Sequence, residues 1–271
     1  MKNLQKIGFL LIFVCFAMGV QAQSLPEYEQ QMERLFAAVE NSTDGTANQR
    51  TNDSICTLFQ TALKCEGSFH YPFSRLKFVG HTLSDDGLLR IYTWNIPTDS
   101  GFIYNGFVQK SSGEYHILIQ QNTPFAATKT QTISSEEWYG ALYYRAIAYK
   151  YQKQKIYILL GWQGGKGHTQ HKFIDVLWFD KVDQVRLGLP IFENNGYALN
   201  RRVFEYDADL QMFLDYEPKR HRIVFDHLSP IKLFDDEVVT LGPDMSFDAY
   251  QRRAKVWKLQ EDIKAKNKKQ R

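Results

Sequence analysis

The stretch WYGALYYRAIAYKYQKQKIYILLGWQGGKGHTQHKFIDVLWF, residues 138–179, decides the fold of this chain. It holds three apolar runs rich in Tyr, Ile, Val, Trp and Phe, and short polar connectors separate them. Runs of this length and composition favour β-strands over helices, so the stretch predicts three antiparallel strands. Residues 156–160 are uncharged and largely apolar at every position, although successive side chains of a strand point to opposite faces. Both faces of this strand are therefore expected to be covered, and we expect burial of residues 156–160, 174–178 and 223–225.

Strand-like runs extend on both sides of this centre, from about residue 76 to residue 241. Connectors such as Asp85-Asp86-Gly87 and Ser111-Ser112-Gly113 are typical of hairpin turns. The pattern predicts one antiparallel meander of about ten to twelve strands, either curled or closed into a barrel. For residues 246–260 we predict a short helical turn followed by a strand.

Two helices are predicted before the strands. Apolar residues at spacings of three and four predict a helix over residues 25–41, and a second helix capped by Asn52 or Asp53. The predicted fold class is α+β and mainly β, with an N-terminal helical region at 25–66 packed on a large antiparallel β-meander. No linker rich in Pro, Gly or Ser divides residues 23–271, which predicts a single domain.

Residues 1–22 have the pattern of a secretory signal peptide. A basic start is followed by an apolar run from Ile7 to Val20 and by the cleavage-site pattern Val20-Gln21-Ala22. We therefore predict export to the periplasm or the extracellular space, with no transmembrane segment after cleavage. Export permits disulfides, yet Cys56 and Cys65 lie on one predicted helix, about 13 Å apart along its axis, so we predict that they are not bridged.

Charge excludes one class of partner. Residues 23–271 carry 31 basic and 30 acidic side chains, because two of the 33 basic residues lie in residues 1–22. This balance and the lack of a basic stripe do not fit a nucleic-acid-binding protein.

The candidate site residues fall into three groups. His168, His171 and Asp175 have ligand-type side chains, but their spacing matches no metal motif and no helix carries them, so neither a metal nor another cofactor is predicted. Asp226 and His227 are a candidate acid–base pair, although neighbours on a strand face opposite sides. Trp94 and Trp162 lie at the ends of predicted strands beside polar loops. Either they are exposed and contact a sugar or a peptide, or they are buried in the core.

Seven stretches stand out together: LRIYTWN (89–95), WYGALYYR (138–145), YILLGWQG (157–164), FIDVLWF (173–179), RRVFEYDA (201–208), IVFDHLSP (223–230) and GPDMSFDAY (242–250). They resemble an uncharacterised group of exported proteins from Bacteroidota. That resemblance implies compartment and source class alone, because the group carries no assigned reaction or site.

Three functions are compatible with the sequence. The leading hypothesis is a non-catalytic exported protein that binds a glycan or an envelope protein, because no nucleophile–base constellation or cofactor loop is evident. The first alternative is a barrel-like carrier of a small apolar ligand, which would use the many aromatic side chains. The second is a hydrolase built on the His and Asp residues named above, with no catalytic residue assigned.

Export makes a direct prediction. Protein recovered from its native host should begin at Gln23, because signal peptidase cuts after small residues at an A-x-A-like site. Intact-mass measurement would show this, and a mass that retains residues 1–22 would contradict it.

Overall fold

The computed structural model describes residues 23–121, 128–164, 167–194, 196–232 and 239–264. The predicted signal segment lies outside these residues. Two helices, α1 (Leu25–Glu40) and α2 (Gly45–Lys64), come first. The strands that follow are β1 (Gly80–Leu83), β2 (Leu89–Thr98), β3 (Gly101–Lys110), β4 (Tyr115–Leu118), β5 (Ile133–Ser134), β6 (Leu142–Tyr151), β7 (Gln154–Gln163), β8 (Thr169–Phe179), β9 (Val185–Leu187), β10 (Phe192–Asn194), β11 (Tyr197–Leu199), β12 (Arg202–Asp207), β13 (Leu214–Glu217), β14 (Arg222–Lys232), β15 (Val239–Arg253) and β16 (Val256–Gln260).

The predicted class, α+β and mainly β with antiparallel pairing, is confirmed, but the strands form three sheets instead of one. The first sheet has the order β1-β2-β3-β4. The central sheet has the order β5-β9-β8-β7-β6, and β12 also pairs with β8. The C-terminal sheet has the order β11-β10-β16-β15-β14-β13, in which β10 and β16 are parallel.

The central sheet is buried on both faces, as the uncharged run in β7 predicts. One face shares an apolar core with the first sheet, and that core includes Leu159 and Phe173. The other face packs on the C-terminal sheet through Ile158 and Val176. Helices α1 and α2 cover the outer face of the first sheet, so the molecule is layered as helices, first sheet, central sheet and C-terminal sheet. The predicted burial of Ile158, Val176 and Phe225 is confirmed.

The first and central sheets approach each other at both edges without closing into a barrel. At one edge the Thr82 hydroxyl donates to the Tyr143 carbonyl at 2.7 Å, and at the other the Ile119 N–H donates to the Ser135 carbonyl at 2.8 Å. The side chains of Trp138, Tyr139 and Tyr143 are buried in the core between the two sheets. The expectation of a barrel is therefore corrected: large aromatic side chains pack where a closed barrel would hold a ligand.

Two local predictions are wrong. Helix α2 begins at Gly45 and not at Asn52, because the Asp44 side chain accepts hydrogen bonds from the N–H groups of Thr46 and Ala47 and so caps an earlier start. Residues 246–253 are strand and not a helical turn.

Helix α2 runs without a break past Cys56 to Lys64. The Cys56 thiol lies 3.3 Å from Asn105 Oδ1, whereas the Cys65 thiol lies 3.5 Å from the Thr61 carbonyl oxygen. Both thiols are free, and burial raises the pKa of Cys56 to about 12. Among the described residues, no helix combines the length and apolar character needed to cross a bilayer.

A fully buried ion pair ties the central sheet to the segment before β12. Arg201 Nε donates to Asp175 Oδ2 at 3.2 Å, and both side chains are completely buried. The Tyr139 hydroxyl donates to the same carboxylate oxygen, and Arg201 Nη1 donates to the Thr128 carbonyl oxygen. The pair is therefore hydrogen-bonded on both sides, as buried charges require.

Removing one member of this pair should be costly. Asp175→Ala leaves Arg201 buried without its counter-charge, and we expect the free energy of unfolding to fall by about 3–5 kcal/mol in chemical denaturation. Asp209→Ala, at an exposed position, is the control and should change it by less than about 0.5 kcal/mol. Equal effects of the two substitutions would show that the pair does not stabilise the fold.

Candidate binding cleft

A cleft of about 700 Å³ lies where β12 meets β14, β15 and the end of β16. Its lining is mixed: charged groups of both signs alternate with apolar side chains. The lining residues are Lys129, Gln163, His171, Asn194, Arg202, Val203, Phe204, Glu205, Phe225, Asp226, His227, Leu228, Leu241, Asp248, Leu259 and Glu261.

Four consecutive residues of β12, Arg202 to Glu205, line this cleft. Because neighbouring side chains of a strand point to opposite faces, one face of the strand cannot present all four. Val203 is only 8% exposed and packs in the core beside the first sheet, while Phe204 is 4% exposed and packs in the core beside the C-terminal sheet. Both faces of β12 are thus covered, and the strand meets the cleft with its edge.

His227 and Asp248 form a hydrogen-bonded pair in the cleft. A register shift between Asp226 and Leu228 places His227 at an irregularity of β14. His227 Nδ1 donates to Asp248 Oδ2 at 2.8 Å, and Asp248 Oδ1 accepts from the Asp262 N–H at 3.0 Å. The hydrogen bond that His227 donates to the Asp248 carboxylate raises the pKa of His227. This arrangement fixes the orientation of the imidazole, as in a catalytic dyad or a ligand-binding histidine.

Asp226 has a different environment from that of its neighbour. Its carboxylate accepts a hydrogen bond from the Phe213 N–H at 2.6 Å. Burial raises the pKa of Asp226, and this outweighs the hydrogen bond from Phe213 and the nearby charge of Lys172, both of which lower it. No hydrogen bond joins the side chains of Asp226 and His227 in the described structure, so His227 is oriented by Asp248 and not by its chain neighbour.

Arg202 is the cation at the edge of the cleft. Its guanidinium lies 5.0 Å from the centroid of the Phe204 ring. Its Nε is buried and, among the described residues, makes no hydrogen bond.

His171 and Trp162 are half-buried near the cleft. His171, from β8, lines the cleft with Nε2 3.9 Å from Glu205 Oε2, and burial lowers its pKa. The Trp162 indole donates to Gln170 Oε1 at 2.7 Å, and Trp162 does not line the cleft.

The other three candidates lie elsewhere. Trp94 is fully buried beneath the helices, where its indole N–H donates to Asn52 Oδ1 at 3.0 Å, so the surface-contact role is wrong and the core interpretation is right. The Asp175 carboxylate is buried in its ion pair with Arg201. His168 lies exposed before β8. The structure therefore does not assemble His168, His171 and Asp175, and within the described ranges no group of three ligand-type side chains is placed to hold a metal ion.

Sequence reasoning missed Arg202, Glu205, Asp248 and Glu261. Asp248 is joined to His227 by the pairing of β14 with β15, which no local pattern specifies. The sequence signal closest to this site is the predicted strand RRVFEYDA. Its alternating side chains distinguish the two faces of the strand, but they do not show that its edge faces a cleft.

Comparison with protein-family models, curated proteins and solved structures yields no match, so the cleft is interpreted from its own geometry.

The pairing of His227 with Asp248 can be measured by NMR titration. Asp248→Asn should lower the pKa of His227, because a neutral amide no longer favours the imidazolium. The pKa of His227 is higher in the folded than in the unfolded chain. The pair therefore stabilises the fold fully below the unfolded pKa of about 6.5, and this stabilisation is lost as pH rises through the folded pKa. Asp209→Asn, outside the cleft, should leave the titration unchanged; an unaltered His227 pKa in Asp248→Asn would disprove the pairing.

Proposed function

We propose that this chain is an exported, non-catalytic binding protein of the cell envelope, and that its ligand is polar and occupies the cleft. The observation that carries the proposal is the mixed lining of the cleft, in which charged, amide and apolar groups stand together. Binding sites combine an apolar surface with a few placed polar groups in this way. Arg202 at the edge of the cleft adds a cation for an anionic or oxygen-bearing ligand.

The carrier hypothesis has less support. It requires an apolar interior cavity, and large aromatic side chains such as Trp138 and Tyr143 pack into the core between the first and central sheets. The cleft itself is lined by four carboxylates, which would be costly to desolvate around an apolar ligand.

A hydrolase is the second candidate function, and the His227–Asp248 pair is the observation that favours it. An aspartate that orients an imidazole can prepare it as a general base toward water or a hydroxyl. Of the other residues named for a hydrolase, His168 and Asp175 do not join this pair.

Blocking the cleft tests the proposal. Leu241 lines the cleft and is 38% exposed, so Leu241→Trp fills the space without disturbing the core. Tagged mature protein should enrich a ligand from the host envelope, and Leu241→Trp should lose most of that enrichment. Leu88→Trp is the matched control, because Leu88 is 43% exposed in the turn before β2.

Three outcomes decide between the candidates. No enrichment by the wild type, or equal enrichment by wild type and Leu241→Trp, would remove the cleft-binding proposal. Conversion of the enriched ligand by the wild type but not by His227→Gln would favour the hydrolase. Capture without conversion, lost in Leu241→Trp and kept in Leu88→Trp, is the expected result.

A further inference from the structure

The hydrogen-bond register of β12 determines which of its backbone groups face the cleft. The Ala208 N–H donates to the His168 carbonyl at 2.8 Å, so these two residues form a hydrogen-bonded pair. Such pairs recur at every second residue of an antiparallel ladder. The pairs Phe204 with Lys172 and Arg202 with Ile174 therefore carry the hydrogen bonds to β8. Val203 and Glu205, which lie between them, direct their N–H and C=O groups away from β8.

That outward edge has no partner strand among the described residues. Among the described strands, β12 has one ladder partner, β8. No hydrogen bond in the described structure uses the outward N–H or C=O groups of Val203 and Glu205, and both residues line the cleft. A row of unpaired groups spaced by two residues is the template to which an extended chain adds as a further strand.

The charges around this edge indicate which chain fits. Four carboxylates line the cleft, against the permanent cations of Lys129 and Arg202. Asp248 is paired with His227 and Asp226 is buried near the charge of Lys172, so Glu205 and Glu261 are the carboxylates left for a ligand. The Glu205 side chain is 60% exposed at the edge itself, 3.9 Å from the imidazole of His171. A strand with basic side chains is complementary to this lining.

We propose that the cleft binds an extended polypeptide segment with basic side chains, which adds as a strand to the free edge of β12. The inference rests on the proposed binding function and names its partner class. Backbone pairing at Val203 and Glu205 would provide up to four hydrogen bonds.

Synthetic peptides are the probe. Mature ¹⁵N-labelled protein is titrated with the end-blocked hexapeptide Thr-Lys-Val-Lys-Val-Thr, with an analogue in which Glu replaces both Lys, and with a version N-methylated at every residue, which blocks both edges of the peptide. The basic peptide should shift the Val203 and Glu205 amide resonances most. The acidic analogue should bind at least tenfold more weakly, and the N-methylated peptide should not bind, because it cannot pair.

A substitution at Glu205 separates backbone pairing from charge. Glu205→Pro removes an N–H that points away from β8, which an edge strand tolerates. Glu205→Gln removes the same charge and keeps the N–H. Both should fold, and Glu205→Pro should bind the basic peptide about tenfold more weakly than Glu205→Gln, the effect of one lost hydrogen bond.

The outcomes separate this inference from the function on which it rests. Equal affinities of Glu205→Pro and Glu205→Gln, or equal binding of the N-methylated peptide, would overturn strand addition. Failure of all three peptides, together with a soluble glycan fraction that shifts the cleft resonances, would overturn the inference and leave cleft binding intact. Unfolding of Glu205→Pro would show that the register is wrong, and the inference would fall with it.

Discussion

The structure depends on burial of the central sheet on both faces. Its strands β7 and β8 carry apolar side chains at consecutive positions, so neither face can be left in water. Each buried side chain of this size contributes about 1.5–3 kcal/mol relative to exposure. One face is covered by the first sheet with its two helices, and the other is covered by the C-terminal sheet. The layered architecture is thus a consequence of one uncharged stretch that needs two partners.

The cleft follows from how β8 is paired along its length. Its C-terminal end pairs with β9, which β5 extends, whereas its N-terminal half pairs with β12. No described strand continues the sheet beyond β12, so its outer edge is left facing the residues of β14 and β15. The buried pair of Arg201 with Asp175 fixes the start of β12 against β8 and so holds this edge in place.

Patterns within short stretches of sequence predicted the features that depend on neighbouring residues, namely the helices and the buried strands. Spacings of three and four located both helices, and the runs in residues 156–160 and 174–178 identified the strands that are buried on both faces. Pairings distant in sequence were not predictable. The spacing of Phe247, Tyr250 and Trp257 also suits a helix, yet Tyr250 and Trp257 belong to a hairpin that packs on the central sheet. The contact of His227 with Asp248 depends on strand register and an irregularity, which composition does not specify.

The outer edge of β12 has no partner among the described strands, and amide hydrogen exchange on the ligand-free protein tests this most directly. The N–H groups of Arg202, Phe204 and Tyr206 bond to β8 and should exchange slowly. Those of Val203 and Glu205 should exchange much faster, although the Val203 side chain is buried. Alternating protection along β12 is the predicted result; equal protection of Val203, Phe204 and Glu205 would contradict it.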